Sequence, residues 1–318
     1  MTRVRLRISE HVRAAVLGCF LLALCLLVSC GDGGGSSGGG NPNEPDTEGP
    51  AFSRPELLIS SYDAEKASTN DMAFIDTSSV AEGYVAASAT ADSRLKLMVE
   101  IAGSTEFYSY DMPQDGTPIV APLNMGNGEY TFAVMQQSRG DSYAEVYAVS
   151  AEVELEDEFE PYIRPSFFCD YTANSQVVQK ANELTADAGN EGDALKSIYS
   201  WIVENVTYDE AKAVSIQPGY VPVPDETLQS QTGICFDYAS LAAAMLRSQG
   251  IPCKIITGLV SSDNIYHAWN MVYINGSWVT VEISVNPNTW TRIDTTFAAG
   301  GATEFVGDGS AYTEQLTY

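Results

Sequence analysis

Histidine and basic residues are scarce in this chain. Of its 318 residues 2 are His and 16 are Lys or Arg, against 42 Asp or Glu, so the formal net charge at pH 7 is -26. So acidic a chain is repelled by phosphate backbones, and we expect no nucleic-acid partner. His11 lies in the N-terminal leader described next, which leaves only His267. A zinc site built on several histidines is therefore excluded, and we expect no metal and no cofactor.

Long apolar runs are also missing, except for the fifteen residues from Ala14 to Val28, which follow an arginine-rich start. This is the layout of an export signal, and the run is short for a membrane span. It closes on residues 27–30 (LVSC), which resemble the bacterial lipobox. The resemblance implies a signal peptide over residues 1–29 and a lipid on Cys30 that anchors an extracytoplasmic protein to the cell membrane. An ordinary signal peptide with a chance cysteine is the alternative.

Composition divides the remainder of the chain into three parts. Residues 31–50 are mainly Gly, Ser, Pro, Asn and acids with little to bury, which predicts a mobile tether over residues 30–51. β-type runs dominate from residue 52, and helical periodicity begins after two prolines at Pro161 and Pro165. We therefore predict an accessory domain over residues 52–160 and a second domain over residues 161–318.

The accessory domain is predicted to be all-β and sandwich-like. Its β-type runs include Leu95 to Ile101, Tyr130 to Met135 and Glu145 to Leu155, and the last of these alternates apolar and acidic residues. Turn-forming segments at 113–116 and 124–128 separate such runs. No group of titratable residues in this part suggests chemistry, so we expect a spacer or a module that presents substrate.

A cysteine at the start of a helix is the first candidate for chemistry. Apolar residues recur at helical spacing over 174–188 and 193–206, and a third helical run, Ala239 to Arg247, follows Cys235 closely. The free N–H groups and the macrodipole of a helix N-terminus favour a thiolate there. A small apolar residue packed at the helix start is the alternative interpretation of Cys235.

A thiol nucleophile needs a base, and His267 is the only imidazole available. It opens a strand-like run from Tyr266 to Tyr273, thirty-two residues after Cys235. An acid would then fix the tautomer of the ring. Glu282 and Asp294 each end a Trp-x-x-x-acid pattern on a short β-type run, so either could supply that carboxylate.

The segments 233–239 (GICFDYA), 267–273 (HAWNMVY) and 294–297 (DTTF) together resemble the three motifs of the transglutaminase-like superfamily. The resemblance covers about residues 170 to 300. It implies an α+β chain, in which a papain-like thiol-enzyme domain follows the β-sandwich-like one. It also implies Cys235 as nucleophile, His267 as general base and acid, and an Asp as orienter of the histidine.

The motif around the third residue favours Asp294 over Glu282. In many relatives the Asp lies about fifteen residues beyond the histidine, where this chain has Glu282. Some secreted relatives instead carry a D-P-T-F-A-like motif after a longer hairpin, and residues 294–298 (DTTFA) resemble it. We therefore predict Asp294 as the orienter and keep Glu282 as the alternative.

Further site residues complete the prediction. The N–H of Cys235 would be the first oxyanion donor, with Gln229 or Gln231 as a second. Trp269 is expected beside the histidine, and Trp269 and Tyr238 are candidates for substrate binding. The pairing of the two other cysteines of the folded part, at positions 169 and 253, is left open.

The predicted function is a cell-surface lipoprotein with a thiol acyl-transfer site. It would hydrolyse or transamidate amide bonds of a peptide or protein, with cell-wall peptides among the candidates, through a Cys thioester. The alternative is a non-catalytic surface binding or scaffold protein that retains the transglutaminase-like fold.

Overall fold

The computed structural model describes residues 51–260, 265–274, 276–279 and 312–318. Its N-terminal half contains eight strands: β1 (Ser68–Thr69), β2 (Ala73–Asp76), β3 (Tyr84–Ala89), β4 (Leu95–Ile101), β5 (Phe107–Met112), β6 (Ile119–Pro122), β7 (Gly128–Arg139) and β8 (Ser142–Val153). They form two antiparallel four-stranded sheets, with the orders β1-β2-β3-β6 and β5-β4-β7-β8.

The two sheets pack face to face around one apolar core. Ile75 and Val85 come from the first sheet, Leu97 and Phe132 come from the second, and all four side chains are 0% exposed. Alternate residues of β4 are buried, because successive side chains of a strand point to opposite faces. The predicted sandwich is confirmed, and β4 has the predicted bounds.

A short 3-10 turn over Glu160–Tyr162 leads into the C-terminal half. The elements described there are α1 (Gln176–Leu184), α2 (Glu191–Asn205), β9 (Thr207–Tyr208), α3 (Glu210–Ser215), α4 (Pro224–Ser230), β10 (Thr232–Gly233), α5 (Cys235–Ser248), β11 (Cys253–Val260), β12 (Ile265–Ile274), β13 (Ser277–Val279) and β14 (Tyr312–Thr317). β9 and β10 pair in parallel. The last four strands form an antiparallel sheet in the order β13-β12-β11-β14.

Helix α5 lies at the centre of the C-terminal half. All its residues from Asp237 onward are buried, and its alanines pack among side chains of α1, α2 and β12. The small Ala side chains at 242–244 allow these neighbours to approach closely. The α+β character predicted from the sequence is therefore observed in the described residues.

Aromatic residues join the two halves. Phe168 and Tyr318 pack against both cores, and their rings lie 4.7 Å apart at 76°. Tyr110 of the sandwich contacts both of these rings. Tyr110 is 1% exposed and belongs to the sandwich core at the place where that core meets the C-terminal half.

The first described residues lie against the C-terminal half, although they precede the sandwich in the chain. Arg54 donates from Nε to Gln249 Oε1 at 2.7 Å and from Nη2 to Asn182 O at 3.0 Å. Phe52 packs beside the core that surrounds α5. The predicted domain boundaries stay predictions, and this segment contacts the domain that follows the sandwich.

Candidate active site

Cys235 is the first residue of α5 and is partly exposed. Cys169 and Cys253 are free thiols that are 0% exposed, and burial raises the pKa of Cys169 to about 11 and that of Cys253 to about 12. Among the cysteines that the structure describes, Cys235 is thus the one that is partly exposed. The predicted position of this cysteine at the start of a helix is confirmed.

The start of α5 is held by Asp237, the third residue of the helix. Its Oδ2 accepts a hydrogen bond from the N–H of Ile234 at 2.8 Å, which is one half of a capping box. Gly233 permits this arrangement, because a Cβ at that position would lie 2.6 Å from Cβ of Asp237. The Gly and the Asp of the motif therefore fit against each other around the cysteine.

Two residues that sequence analysis missed bind the same carboxylate. Lys212 Nζ donates to Asp237 Oδ2 at 2.7 Å, and Tyr220 OH donates to Oδ1 at 2.5 Å. Lys212 Nζ also donates to Tyr220 OH at 2.7 Å. Lys212 and Tyr220 lie 25 and 17 residues before Asp237 in the chain, and no local pattern connects them.

The pKa values of these partners reflect the cluster. Burial opposes the charge of Lys212, but its hydrogen bonds to Asp237 and Tyr220 outweigh burial and raise its pKa. Burial, with the bond to Asp237 second, raises the pKa of Tyr220 to about 12. At neutral pH the cluster therefore holds an ammonium and a neutral phenol.

His267 lies in β12, opposite Gly258 of β11, and is 5% exposed. The strand predicted around it is confirmed. Its ring lies beside the indole of Trp269, with centroids 6.4 Å apart and an interplanar angle of 21°. Trp269 therefore lies beside the histidine as expected, and it is 1% exposed. Its role in substrate binding stays a prediction.

Asn270 holds β12 against α5. Its Nδ2 donates to Ala239 O at 2.9 Å, and its side chain is 0% exposed. Cys235 lies one helical turn before Ala239, and His267 lies three residues before Asn270. The elements that carry the predicted nucleophile and base are therefore in direct contact, and the pairing of their side chains stays a prediction.

The remaining predicted site residues fall into three groups. Tyr238 is 0% exposed and donates from its hydroxyl to Val206 O at 2.6 Å, so its ring packs in the core, and its role in substrate binding stays a prediction. Gln229 and Gln231 are exposed near the end of α4, and their role as oxyanion donors stays a prediction. The last group, Glu282, Asp294 and Cys30, lies outside the described residues.

Within the described ranges, His, Cys, Asp and Glu do not gather into a group that could hold a metal ion. No helix in the same ranges has the length and hydrophobicity needed to cross a bilayer.

Residues 178–283 match the sequence model of the Transglutaminase-like superfamily. The chain therefore contains a transglutaminase-like domain, and the resemblance drawn from its motifs is confirmed together with the fold class. The matched range includes Cys235, His267 and Glu282 and ends before Asp294.

Curated relatives share this region. The chain is similar to kyphoscoliosis peptidase of Homo sapiens, with 29% identity over 129 residues, which are 37% of this chain and 19% of that protein. It is also similar to the uncharacterized protein YebA of Bacillus subtilis, with 29% identity over 136 residues, 36% of this chain and 18% of that protein. The chain thus spans about a fifth of the length of these relatives.

Solved structures are similar at lower identity. A cysteine protease candidate from Cytophaga hutchinsonii is 17% identical with a TM-score of 0.39, over 73% of each chain. Legionella pneumophila LapG is 14% identical with a TM-score of 0.30, over 46% of this chain and 86% of that chain. Red sea bream transglutaminase is 14% identical with a TM-score of 0.26, over 60% of this chain and 45% of that chain.

Proposed function

We propose that the protein is a thiol enzyme that acts on amide bonds of a peptide or protein, with Cys235 as nucleophile. The observation that carries this proposal is the partly exposed cysteine at the first position of the buried helix α5, inside the matched transglutaminase-like region. A thiol placed only for packing would be buried like Cys169 and Cys253.

The proposed chemistry begins with proton transfer from the Cys235 thiol to the imidazole of His267. The sulfur then attacks the amide carbon, and the carbonyl oxygen becomes an oxyanion that accepts from the N–H of Cys235. Collapse of this intermediate breaks the C–N bond, and the leaving amine takes the proton from the imidazolium. The product on the enzyme is a thioester.

The second half of the reaction releases the acyl group. Water, or an amine of a second substrate, gives a proton to His267 and attacks the thioester carbon, and the C–S bond breaks as the sulfur recovers a proton. Hydrolysis and transamidation share the first half and differ in this acceptor. The similarity to kyphoscoliosis peptidase supports hydrolysis as the first activity to measure.

The third catalytic residue and the location belong to the same proposal. Asp294 is proposed as the carboxylate that orients His267, with Glu282 as the alternative that the matched family range includes. Cys30 is proposed to carry the lipid that holds the protein at the outer face of the cell membrane, where cell-wall peptides are candidate substrates. The sandwich would then hold the site away from the membrane or present substrate to it.

The proposal is tested by alkylation of the full-length protein. Iodoacetamide would be applied across a pH series, and modification of Cys235 would be followed by peptide mass spectrometry. We expect Cys235 to react at a pH below the midpoint of ~8.5 that is typical of an ordinary thiol. His267→Ala should move the profile up to that ordinary range, and Cys235→Ala is the control for assignment.

An ordinary alkylation profile that His267→Ala leaves unchanged would instead support the alternative, a non-catalytic binding or scaffold protein. If the profile behaves as expected, the carboxylates are compared by turnover on peptide substrates. We expect Asp294→Ala to lose far more turnover than Glu282→Ala, and the reverse order would assign the orienting role to Glu282.

A further inference from the structure

A buried carboxylate lies next to the proposed nucleophile. Asp237 is two residues after Cys235, and its side chain is 0% exposed. Its Oδ2 lies 2.8 Å from the N–H of Ile234, the residue that immediately precedes the cysteine. A negative charge two residues from the cysteine opposes a second negative charge on the sulfur, because like charges repel more strongly in a poorly solvated site than in water.

Lys212 brings the compensating positive charge. It lies in α3, its Nζ is 2.7 Å from Asp237 Oδ2, and its side chain is 30% exposed against 0% for its partner. Tyr220 links the two groups, since it donates to Asp237 and accepts from Lys212. Within the described residues, Lys212 is the cation that forms an ion pair with Asp237.

We propose that Lys212, held by Tyr220, is a positioning residue whose charge cancels that of Asp237, so that the carboxylate can cap the helix without opposing a thiolate on Cys235. The proposal rests on the proposed function, because it takes the thiolate to be the reactive form. It explains why an acid stands so close to a nucleophile that works as an anion: the acid fixes the helix start, and the lysine neutralises its field.

Other titratable groups also face Cys235 or lie near it. Tyr208 of β9 interacts electrostatically with Cys235, and burial, with the cysteine charge second, raises the pKa of this phenol to about 12. Glu210 and Asp209 lie close enough to Tyr208 to act on it in the same way. His267 lies on the strand packed against α5. The variants that test the proposal change only Lys212 and Asp237, so these other groups are the same in every variant.

A double-mutant cycle on the full-length protein tests the proposal. The pH midpoint of Cys235 alkylation would be measured for wild type, Lys212→Met, Asp237→Asn and the double variant. We expect Lys212→Met to raise the midpoint by about one pH unit and Asp237→Asn to lower it by a similar amount. The double variant, which is neutral at both positions, should return close to wild type.

Opposite signs are the signature of charge. If the cluster only supported the fold, both single variants would loosen the site and move the midpoint in the same direction, and that result would overturn the proposal. So would a midpoint that Lys212→Met leaves unchanged. Lys66→Met is the matched control, because it removes the lysine of an ion pair in the sandwich half, 3.5 Å from Asp63. We expect no shift from it.

Two further comparisons keep the result interpretable. Lys212→Met leaves an unpaired buried carboxylate and risks misfolding. In that case Asp237→Asn is compared with the double variant. Both lack the carboxylate and differ only in the lysine, so the difference between their midpoints measures the effect of the lysine charge. If His267→Ala leaves the alkylation midpoint of Cys235 unchanged while Lys212→Met shifts it, the proposed function is rejected and this inference is retained. If His267→Ala shifts the midpoint and Lys212→Met does not, the proposed function is retained and this inference is rejected.

Discussion

The sandwich and the C-terminal half differ in what they bury. The core between the two sheets is formed by aliphatic and aromatic side chains such as Leu97 and Phe132. The C-terminal half buries several charged and amide side chains, among them Arg247, Asp237 and Asn270, each at most 1% exposed, whereas Asp76 is the charged side chain buried in the sandwich strands. Apolar packing is tolerant of exchange, whereas buried polar groups require specific partners. The comparison indicates that one half supplies a scaffold and that the other is built to hold backbone segments in defined positions.

Arg247 shows what such a group does. It lies in the last turn of α5 and is 1% exposed. Its donors reach four acceptors on three segments at 2.9 to 3.2 Å: Cys253 O, Arg164 O, Ser166 Oγ and Tyr318 O. One side chain therefore ties the central helix to β11, to the connection after the sandwich and to the segment that follows β14.

The largest expected effect is that of Arg247→Met. It removes all four hydrogen bonds and leaves buried acceptors without a donor, so we expect unfolding free energy to fall by about 4 kcal/mol. Urea unfolding followed by circular dichroism measures it. Arg94→Met is the matched control, since Arg94 makes an exposed ion pair at 3.3 Å and should cost at most about 0.5 kcal/mol. Equal effects of the two variants would contradict the importance of polar burial.

Leu97→Ala tests the scaffold half. Leu97 is 0% exposed in the sandwich core, and the cavity left by alanine should cost about 3 kcal/mol of unfolding free energy. Because the sandwich is not expected to carry chemistry, the alkylation profile of Cys235 should stay as in wild type below the unfolding transition. A shifted profile would show that the sandwich shapes the site and would remove the contrast between the halves.

Alkaline pH should weaken the protein through its buried thiols. Burial raises the pKa of Cys169 to about 11 and that of Cys253 to about 12, from an ordinary value of 9.0. Their stabilising effect is complete below about pH 9 and is lost as pH rises toward the folded pKa values, because only the unfolded state ionises. With reductant present, we expect a loss of about 2 kcal/mol between pH 8 and pH 10.

The double variant Cys169→Ala/Cys253→Ala isolates the share of the thiols in that loss. Its own loss between pH 8 and pH 10 should be smaller than that of wild type, with the remainder due to buried phenols such as Tyr110, whose pKa burial raises well above its ordinary value. An unchanged loss would mean that the two thiols do not contribute.

The smallest expected effect concerns a local polar contact. Asn190 caps α2, accepting from the N–H of Asp193 at 2.9 Å. Asn190→Ala should cost about 1 kcal/mol of unfolding free energy, while Asn190→Asp, which retains an acceptor, should stay near wild type. A loss as large as that of Arg247→Met would show that helix ends matter as much as the buried arginine.

Local patterns predicted the elements well and the contacts between them poorly. The alternation in residues 95–101 predicted β4, and the apolar spacing after residue 193 predicted most of α2, because each depends on one periodicity. The burial of Tyr238 in the core was not predicted, since a sequence does not show which face of a helix is covered. Lys212 and Tyr220 were missed because their bonds to Asp237 span loops and a short helix of no distinctive pattern.

Local composition and short motifs by themselves predicted the α+β class, the resemblance of one region to the transglutaminase-like superfamily, and the candidate residues Cys235 and His267. Only the tertiary structure decided which thiols are buried, that residues 52–54 lie against the C-terminal half, and that Asp237 has an ammonium beside it. These features depend on which distant segments of the chain the packing of the cores brings together, and local sequence patterns do not show such long-range contacts.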